Sequence, residues 1–577
     1  MKKSMKKQEY YNLQFKRENW ASLNGEWDFQ IVAPVLGEQR KINVPFCPES
    51  KASGVEHTDF IKECVYHLDF NVNAFENKRV ILHFGAVYYE AIVFVNGKKV
   101  GRHFGGYTPF SFDITDFISE GENNLEVKVF SDLTANQPSG KQSRKQHSYG
   151  CFYTRNTGIW QSVWLEYVPE KHIEYVKYFP NVQDCSVDVE ACVKDEGKLN
   201  IDVLYNGKLV GKAEEYVKIK GVYNIKLSEK HLWEVGDGQL YDVKITYGED
   251  EVSSYFGLRE VKFDGMNFLL NGKPVFQSFV LNQGYYKNGV VTPNDDNERL
   301  GDINRAIELG FNGSRLHQKV FDPRFLYLCD KAGHMVWGEF ASWGIKYCNL
   351  DALGTFISEW TAVMERDFNH PSIILWCPLN ETWRDLEDGR KARDVRFIDS
   401  VYQVTKAIDS TRPCVDVSGG HHGHDTDLYD FHCYESYENL KKYLDNLSQN
   451  GQLAVPLLYD NDETHLFYTK GQPVNLSEFG GIQFAKNITL NKVSSVNEGA
   501  VESTESWGYG EGATDENAFV ERYKNLVELI KSYGEISGFC YTQLYDVEQE
   551  ENGFFTYDRK PKLTKSAIQK ICEYNKK

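Results

Sequence analysis

From about Trp20 to Val168 the chain alternates apolar and polar residues in short runs broken by turn signals, with no sustained helical period. The runs include RVILHFG, AIVFVNGKKVG, NNLEVKVF and SVWLEYV, and in the second of them Asn96-Gly97 follows an alternating segment, the signal of a type I′ hairpin. This texture predicts an all-β sandwich over residues 1–168. A second stretch, residues 169–262, opens at Pro169 and repeats short strands (SVDVEACV, KLNIDVLYNGKLVG, YDVKITYG) about every ten residues, as a small immunoglobulin-like sandwich does. It lacks the Cys…Trp…Cys arrangement of antibody domains and reads as a spacer.

From Phe263 the period changes. Strand-like VFQSFVL is followed by the helical NERLGDINRAIELG, then FNGSRLH, the helical FDPRFLYLCDKAG, and HMVWGEF. Alternating strands and helices imply parallel pairing. With SIILWCPLNE, PCVDVSG, LYDFHCYE, PVNLSEFG and ISGFCYTQLYD there are eight strand candidates, enough for a (β/α)8 barrel over residues 263–577 closed by the helix LTKSAIQKICEYNKK.

Composition narrows the function. At 577 residues the chain exceeds what one core usually supports, and 41% hydrophobic with 26% charged residues is ordinary for a globular protein. Aromatic residues reach 14%, with 11 Trp and 35 Tyr, which suits β-rich cores and also sugar-stacking platforms. A net charge of −18 argues against a nucleic-acid partner, because such binding needs Lys and Arg to neutralise phosphates. The basic start MKKSMKKQEYYNLQ leads into no apolar stretch, so neither a secretory signal nor a membrane span is expected and the chain reads as cytoplasmic. Its 12 Cys include no CxxC pair, and Cys377, Cys414, Cys433 and Cys540 lie in apolar runs, which predicts buried free thiols.

Two acids stand out: Glu381 directly after SIILWCPLN, and Glu478 in PVNLSEFG. Counting strands puts them at the ends of the fourth and seventh, on the face where barrel enzymes hold their reacting groups. A solvated surface charge is the ordinary fate of a Glu, but an acid directly after a continuous apolar strand is less common. Cleaving an acetal needs one carboxyl to protonate the leaving oxygen and a second to attack, or to activate water, so the pair fits glycosidic-bond chemistry of either stereochemistry.

The motifs LNGEWDF, YTRNTGIWQSVWLE, NGKPV, RFLYLCDKAGHMVWGE and NHPSIILWCPLNE, spread over nearly the whole chain, resemble glycoside hydrolase family two, which includes β-galactosidases, β-glucuronidases and β-mannosidases. The resemblance implies the order jelly-roll, immunoglobulin-like domain, TIM barrel. It maps Glu381 onto the family's general acid/base and Glu478 onto its nucleophile, and so implies retention of anomeric configuration without a cofactor. It also implies that Asn380 meets the sugar 2-hydroxyl, that Tyr434 touches the nucleophile and that Arg315 holds it ionised. A capping role for Asn380, a buried backbone partner for Tyr434 and a structural ion pair for Arg315 are the plainer alternatives. His432 joins the expected substrate-contacting residues, the eighth-strand segment YTQLYDVEQEENGFF is a candidate sugar-facing wall, and Trp507 is either such a wall or a loop anchor. The cluster His421, His422, His424, Asp425 and Asp427 offers metal-ligand atom types but no tight ligand spacing, so a solvated or substrate-contacting loop is expected and no metal.

The pattern departs from the family after the second strand, where the common Ser-His-Tyr is His317, Gln318 and Lys319. All three count as substrate-contacting candidates, and Lys319 has the charge to recognise a carboxylate. The Asn-x-Lys signature of β-glucuronidases is absent, since Asn552 is followed by Gly553 and Phe554. The expected activity is exo-acting removal of a terminal β-galactoside-like sugar. An α-L-arabinosidase, a β-D-galactofuranosidase and a β-glucuronidase remain as alternatives, as does a non-catalytic carbohydrate-binding protein. Homo-oligomerisation stays open.

Overall fold

In a computed structural model of the chain, residues 9–347, 350–382, 394–453, 468–484, 504–510 and 512–577 are described. The basic start, residues 1–8, therefore lies outside the described residues. The first unit is a sandwich of a six-stranded and a four-stranded antiparallel sheet. Its core alternates inward apolar residues along strands such as Glu90–Val95 and Gly121–Phe130. The Asn96-Gly97 hairpin joins Glu90–Val95 to Lys98–Phe104, with both turn residues at positive φ, as a type I′ turn requires. The second unit packs a three-stranded sheet on a four-stranded one around its own core. There Asn206-Gly207 makes the matching turn between Gly197–Tyr205 and Lys208–Val217.

The third unit is a parallel barrel. Its strands, in chain order, are Gln277–Asn282, Gly313–Leu316, Met335–Glu339, Ile373–Cys377, Val417–Ser418, Tyr429–Cys433, Val474–Gly480 and Ile536–Thr542. Seven of them form one ladder. The fifth is only two residues long and pairs with Leu379–Asn380, a continuation of the fourth. Helix Asp296–Glu308 starts where the Asp295 carboxylate accepts from the backbone N–H groups of Asn297 and Glu298. Helix Pro323–Ala332 starts with proline after the Asp322 cap and stops at Gly333, whose φ of 63° only glycine adopts cheaply.

The barrel core is continuous with the first sandwich: Tyr88, Tyr89, Tyr107, Tyr153 and Trp160 belong to the same buried cluster as the barrel residues. The contact is also polar. Ser139 and Gly140 donate backbone N–H groups to the carbonyl of Trp343, at 2.7 and 3.1 Å. A Cβ on Gly140 would come within 2.4 Å of the Gln318 carbonyl, so this approach needs glycine. All eleven described cysteines are free, and Cys377, Cys414, Cys433 and Cys540 are buried. Among the described residues no helix is long and apolar enough to cross a membrane, which says nothing of strands.

Candidate active site

The first carboxylate follows the Leu379–Asn380 strand directly. Glu381 is buried and takes a φ of 40°, a left-handed conformation that costs a non-glycine residue about 1–2 kcal/mol. Its backbone N–H donates to the Ser418 carbonyl, which fixes it to the fifth strand. Glu478 lies within the seventh strand, two residues before its end, at a register shift against the eighth. The ligand atoms of Glu381, Glu478 and His432 all lie within 4.8 Å of one another. This is also the one group among the described residues with the geometry to hold a cation, but His432 Nδ1 and Glu381 Oε1 already sit 2.7 Å apart as hydrogen-bond partners.

Arg315 organises the floor. Fully buried at the second strand, it donates from Nη1 to Glu478 Oε1 at 2.7 Å, from Nε to Glu339 Oε2 at 2.6 Å and from Nη2 to Asn380 Oδ1 at 2.6 Å. Holding the Asn380 oxygen leaves the amide Nδ2 of Asn380 buried without a partner, a donor in waiting. Tyr434 donates its hydroxyl to Glu478 Oε2, and its ring stacks on Tyr509 at 3.5 Å between centroids.

These partners push the two carboxyls apart. Burial raises the pKa of Glu381, the neighbouring Glu478 charge adds to that, and His432 only partly offsets it. Burial works upward on Glu478 as well, but the charges of His432, Arg315 and Lys141 and the Tyr434 hydrogen bond override it and hold this carboxyl well below its usual range. One group thus favours its protonated form and the other its ionised form, the division of labour an acid and a nucleophile need.

The remaining sequence candidates separate. His317 lies behind the nucleophile position, 2.9 Å from Glu339 through Nδ1 and 3.8 Å from Glu478 through Nε2. Gln318, at a φ of 44°, accepts from the Trp343 backbone N–H and keeps its Nε2 buried and unpartnered. Lys319 corrects the expectation of a substrate-facing charge: its ammonium is buried and donates to the carbonyls of Gly284 and Val291, over the Tyr286 and Phe321 rings. His432, counted among the substrate-contacting candidates, stands between the two carboxylates. Trp507 is buried and donates from its indole to the Gly150 carbonyl, so it anchors the first sandwich rather than presenting an open platform. In the His421–Asp427 loop, His422 pairs with Asp416, His424 with Asp399 and Asp427 with Lys406, and Asp425 accepts from Gln403.

Three residues, Glu339, Lys141 and Cys151, escaped sequence reading, and Glu550 is covered only as part of the segment YTQLYDVEQEENGFF. Glu339 ends the third strand, and burial raises its pKa to about 7 despite Arg315. The rule that singled out Glu381, an acid at the end of an apolar run, would have found it. Lys141 and Cys151 carried no such signal. Lys141 comes from the first sandwich, is buried, and lies 5.5 Å from the Trp343 ring and 5.8 Å from the Tyr153 ring. Among the described residues no acid lies within ion-pair distance of it, although its charge acts on Glu381, Glu478 and Glu550. Glu550 is buried and accepts from Tyr153 and Asn552. Cys151 packs with Trp343 and Trp507.

Comparison with known proteins agrees with this architecture. Three consecutive family models match: Glycosyl hydrolases family 2, sugar binding domain, over residues 52–169; Glycosyl hydrolases family 2 over residues 171–259; and Glycosyl hydrolases family 2, TIM barrel domain, over residues 261–480. The chain belongs to glycosyl hydrolase family 2. A β-galactosidase of Thermoanaerobacterium thermosulfurigenes is 29% identical over 379 residues, 61% of this chain and 50% of the relative. A putative β-glucuronidase of Formosa agariphila is 27% identical over 380 residues, 60% and 43% of the two chains. The chain thus spans about half the length of these curated relatives. The structure of a β-galacturonidase from Eisenbergiella tayi bound to galacturonate shares the fold, with a TM-score of 0.75 and 19% identity over 99% of both chains.

Proposed function

We propose that this chain is a retaining exo-glycosidase that removes a terminal β-galactoside or closely related sugar through a covalent glycosyl-enzyme. The observation that carries this is the closeness of the acids: an oxygen of each lies within 4.8 Å of the other, which suits the roughly 5 Å of retaining enzymes better than the about 6.5–9.5 Å of inverting ones. Glu381 protonates the leaving oxygen while Glu478 bonds the anomeric carbon, and the Glu381 carboxylate then takes a proton from the water that releases the sugar. Arg315 and Tyr434 hold Glu478 ionised and aimed, and Asn380 Nδ2 meets the 2-hydroxyl.

A second reading, a uronide glycone, is favoured by Lys141, a buried side chain with no acid at ion-pair distance among the described residues, and by the β-glucuronidase name of a relative. A panel of p-nitrophenyl glycosides decides: β-galactopyranoside, α-L-arabinopyranoside, both furanosides, glucuronide, galacturonide and mannoside. Release from the galacto- or arabinopyranoside supports the first reading, and release from uronides alone moves it to the second. Release from none alongside measurable sugar binding overturns both in favour of a lectin. Proton NMR of the first-formed anomer tests retention.

A further inference from the structure

His432 has its two ring nitrogens in different company. Nδ1 lies 2.7 Å from Glu381 Oε1 and 3.5 Å from Glu478 Oε2. Nε2 lies 3.0 Å from both the Ser418 and Ser477 hydroxyls, which are themselves 2.7 Å apart. Ser477 donates its proton to Asp430 Oδ1 at 2.5 Å, and that oxygen also accepts from the Gly419 N–H at 3.0 Å. A hydroxyl that has given its proton to Asp430 can only accept from the imidazole, so the Ser477 contact calls for a hydrogen on Nε2. On the other side Nδ1 faces carboxylate oxygens, which also call for a hydrogen.

The ring cannot swing away. His432 and Asp430 sit two residues apart on one strand and so on one face of it. Gly419, at a φ of 68°, packs so closely that a Cβ there would meet the ring at 2.1 Å. The charged groups acting on the ring are Glu381 from the fourth-strand extension, Glu478 from the seventh strand, Asp430 from its own strand and Arg315 from the second, so acids outnumber the one base.

We propose that His432 is a positioning residue that stays an imidazolium throughout the reaction and balances a negative charge that moves from Glu478 to Glu381. This rests on the retaining reading above. In the resting site Glu478 is the anion and Glu381 holds its proton. When Glu478 Oε bonds the anomeric carbon and the glycosidic bond breaks, the Glu381 proton goes to the leaving oxygen, so Glu478 becomes a neutral ester and Glu381 the anion. The imidazolium, within reach of both carboxyls through one N–H, faces one anion before the step and one after it. Water then gives its hydroxyl to the anomeric carbon and its proton to Glu381, and the Glu478–carbon bond breaks to restore the start. The imidazolium thus opposes the moving negative charge at either stage, and Asp430, behind the serines, keeps the cation favourable.

The test is the pH profile of kcat/KM of His432→Asn on the aryl glycoside that the panel identifies, with thermal unfolding as a fold control. Loss of the imidazolium moves both limbs of the bell upward, by about 1–3 units for His432→Asn, since the cation favours the ionised form of each carboxyl. Imidazole ¹⁵N NMR, with the His432 signal assigned by its loss in His432→Asn, then shows both nitrogens protonated in the free enzyme and in the intermediate trapped with a 2-deoxy-2-fluoro glycoside. In Asp430→Asn the ¹⁵N signal should show the ring losing its second proton at a lower pH than in the unaltered chain, because the acid that favours the cation is gone. A bell unmoved in folded His432→Asn, movement of one limb only, or a neutral ring in the trapped intermediate overturns the proposal. Should no glycoside be cleaved by the unaltered chain, the retaining reading fails first, and the ¹⁵N signal of the free enzyme still judges the imidazolium.

Discussion

Arg315 and Glu478 meet at 2.7 Å where the guanidinium has no exposed surface and the carboxylate almost none. The same guanidinium also holds Glu339 and Asn380, so one side chain sets the geometry of the nucleophile position, its backing acid and the amide beside Glu381. Arg315→Met would leave two buried carboxylates without their cation, at a cost of about 3–5 kcal/mol. Denaturant unfolding measures that loss. In whatever fraction folds, the acid limb of kcat/KM moves to higher pH, because Arg315 is among the groups that hold Glu478 ionised.

On the proposed mechanism Glu478→Gly loses turnover by roughly 10⁴–10⁶-fold, as nucleophile removal does elsewhere. Azide should restore part of it and yield the α-glycosyl azide, since the small anion enters from the face that the carboxylate vacated. The anomer is read by NMR, and a β-azide would reassign the nucleophile.

Asn380→Ala removes the unpartnered amide N–H together with the oxygen that Arg315 holds. A loss of about 10²–10³-fold in kcat/KM is expected on the ordinary glycoside, where the 2-hydroxyl bond strengthens in the transition state. On the 2-deoxy glycoside the variant and the unaltered enzyme should differ far less. Equal losses on both substrates would reduce Asn380 to a support for Arg315.

Lys319 gives a stability test independent of activity. Burial lowers its pKa to about 7, against about 10.4 for a lysine in the unfolded chain. Between those values the unfolded state binds the proton that the folded state has released, so folding stability rises with pH across that window and the penalty is complete below about pH 7. A neutral amine has two N–H groups, matched by the carbonyls of Gly284 and Val291. The unaltered chain should therefore gain stability over Lys319→Met steadily from pH 7 to 10, as followed by urea midpoints. A constant difference would show that the side chain stays charged.

Trp507 joins two domains by one indole hydrogen bond and a buried ring. Trp507→Phe should cost about 1 kcal/mol for the bond, and Trp507→Ala about 3–5 kcal/mol for the ring. Limited proteolysis near residue 150 should accelerate in the same order.

Much of this was legible along the chain because it depends on local period. The Asn96-Gly97 hairpin, the Asp295 and Asp322 helix starts and the barrel strands are specified by residues within a few positions of one another. Glu381 could be found because an acid ending an apolar strand is visible without any contact map, and the same rule reaches Glu339. The approach of the acids to within 4.8 Å could not be read that way, since Glu381 and Glu478 are 97 positions apart and meet only when strands four and seven close toward one another.

The sequence by itself determined the order of three units, the family, and the two carboxylates with Asn380, Arg315 and Tyr434 around them. The tertiary structure alone decided how each charge is used. Lys319 turned to backbone carbonyls because its loop folds over it, Trp507 became an anchor to Gly150, and Lys141 reached the barrel mouth from another domain. His432 came to stand between the acids only when four separate strand segments converged. The physical reason is that an ionisable group is governed by desolvation and by charges within a few ångströms, and in a barrel those neighbours come from segments far apart in the chain.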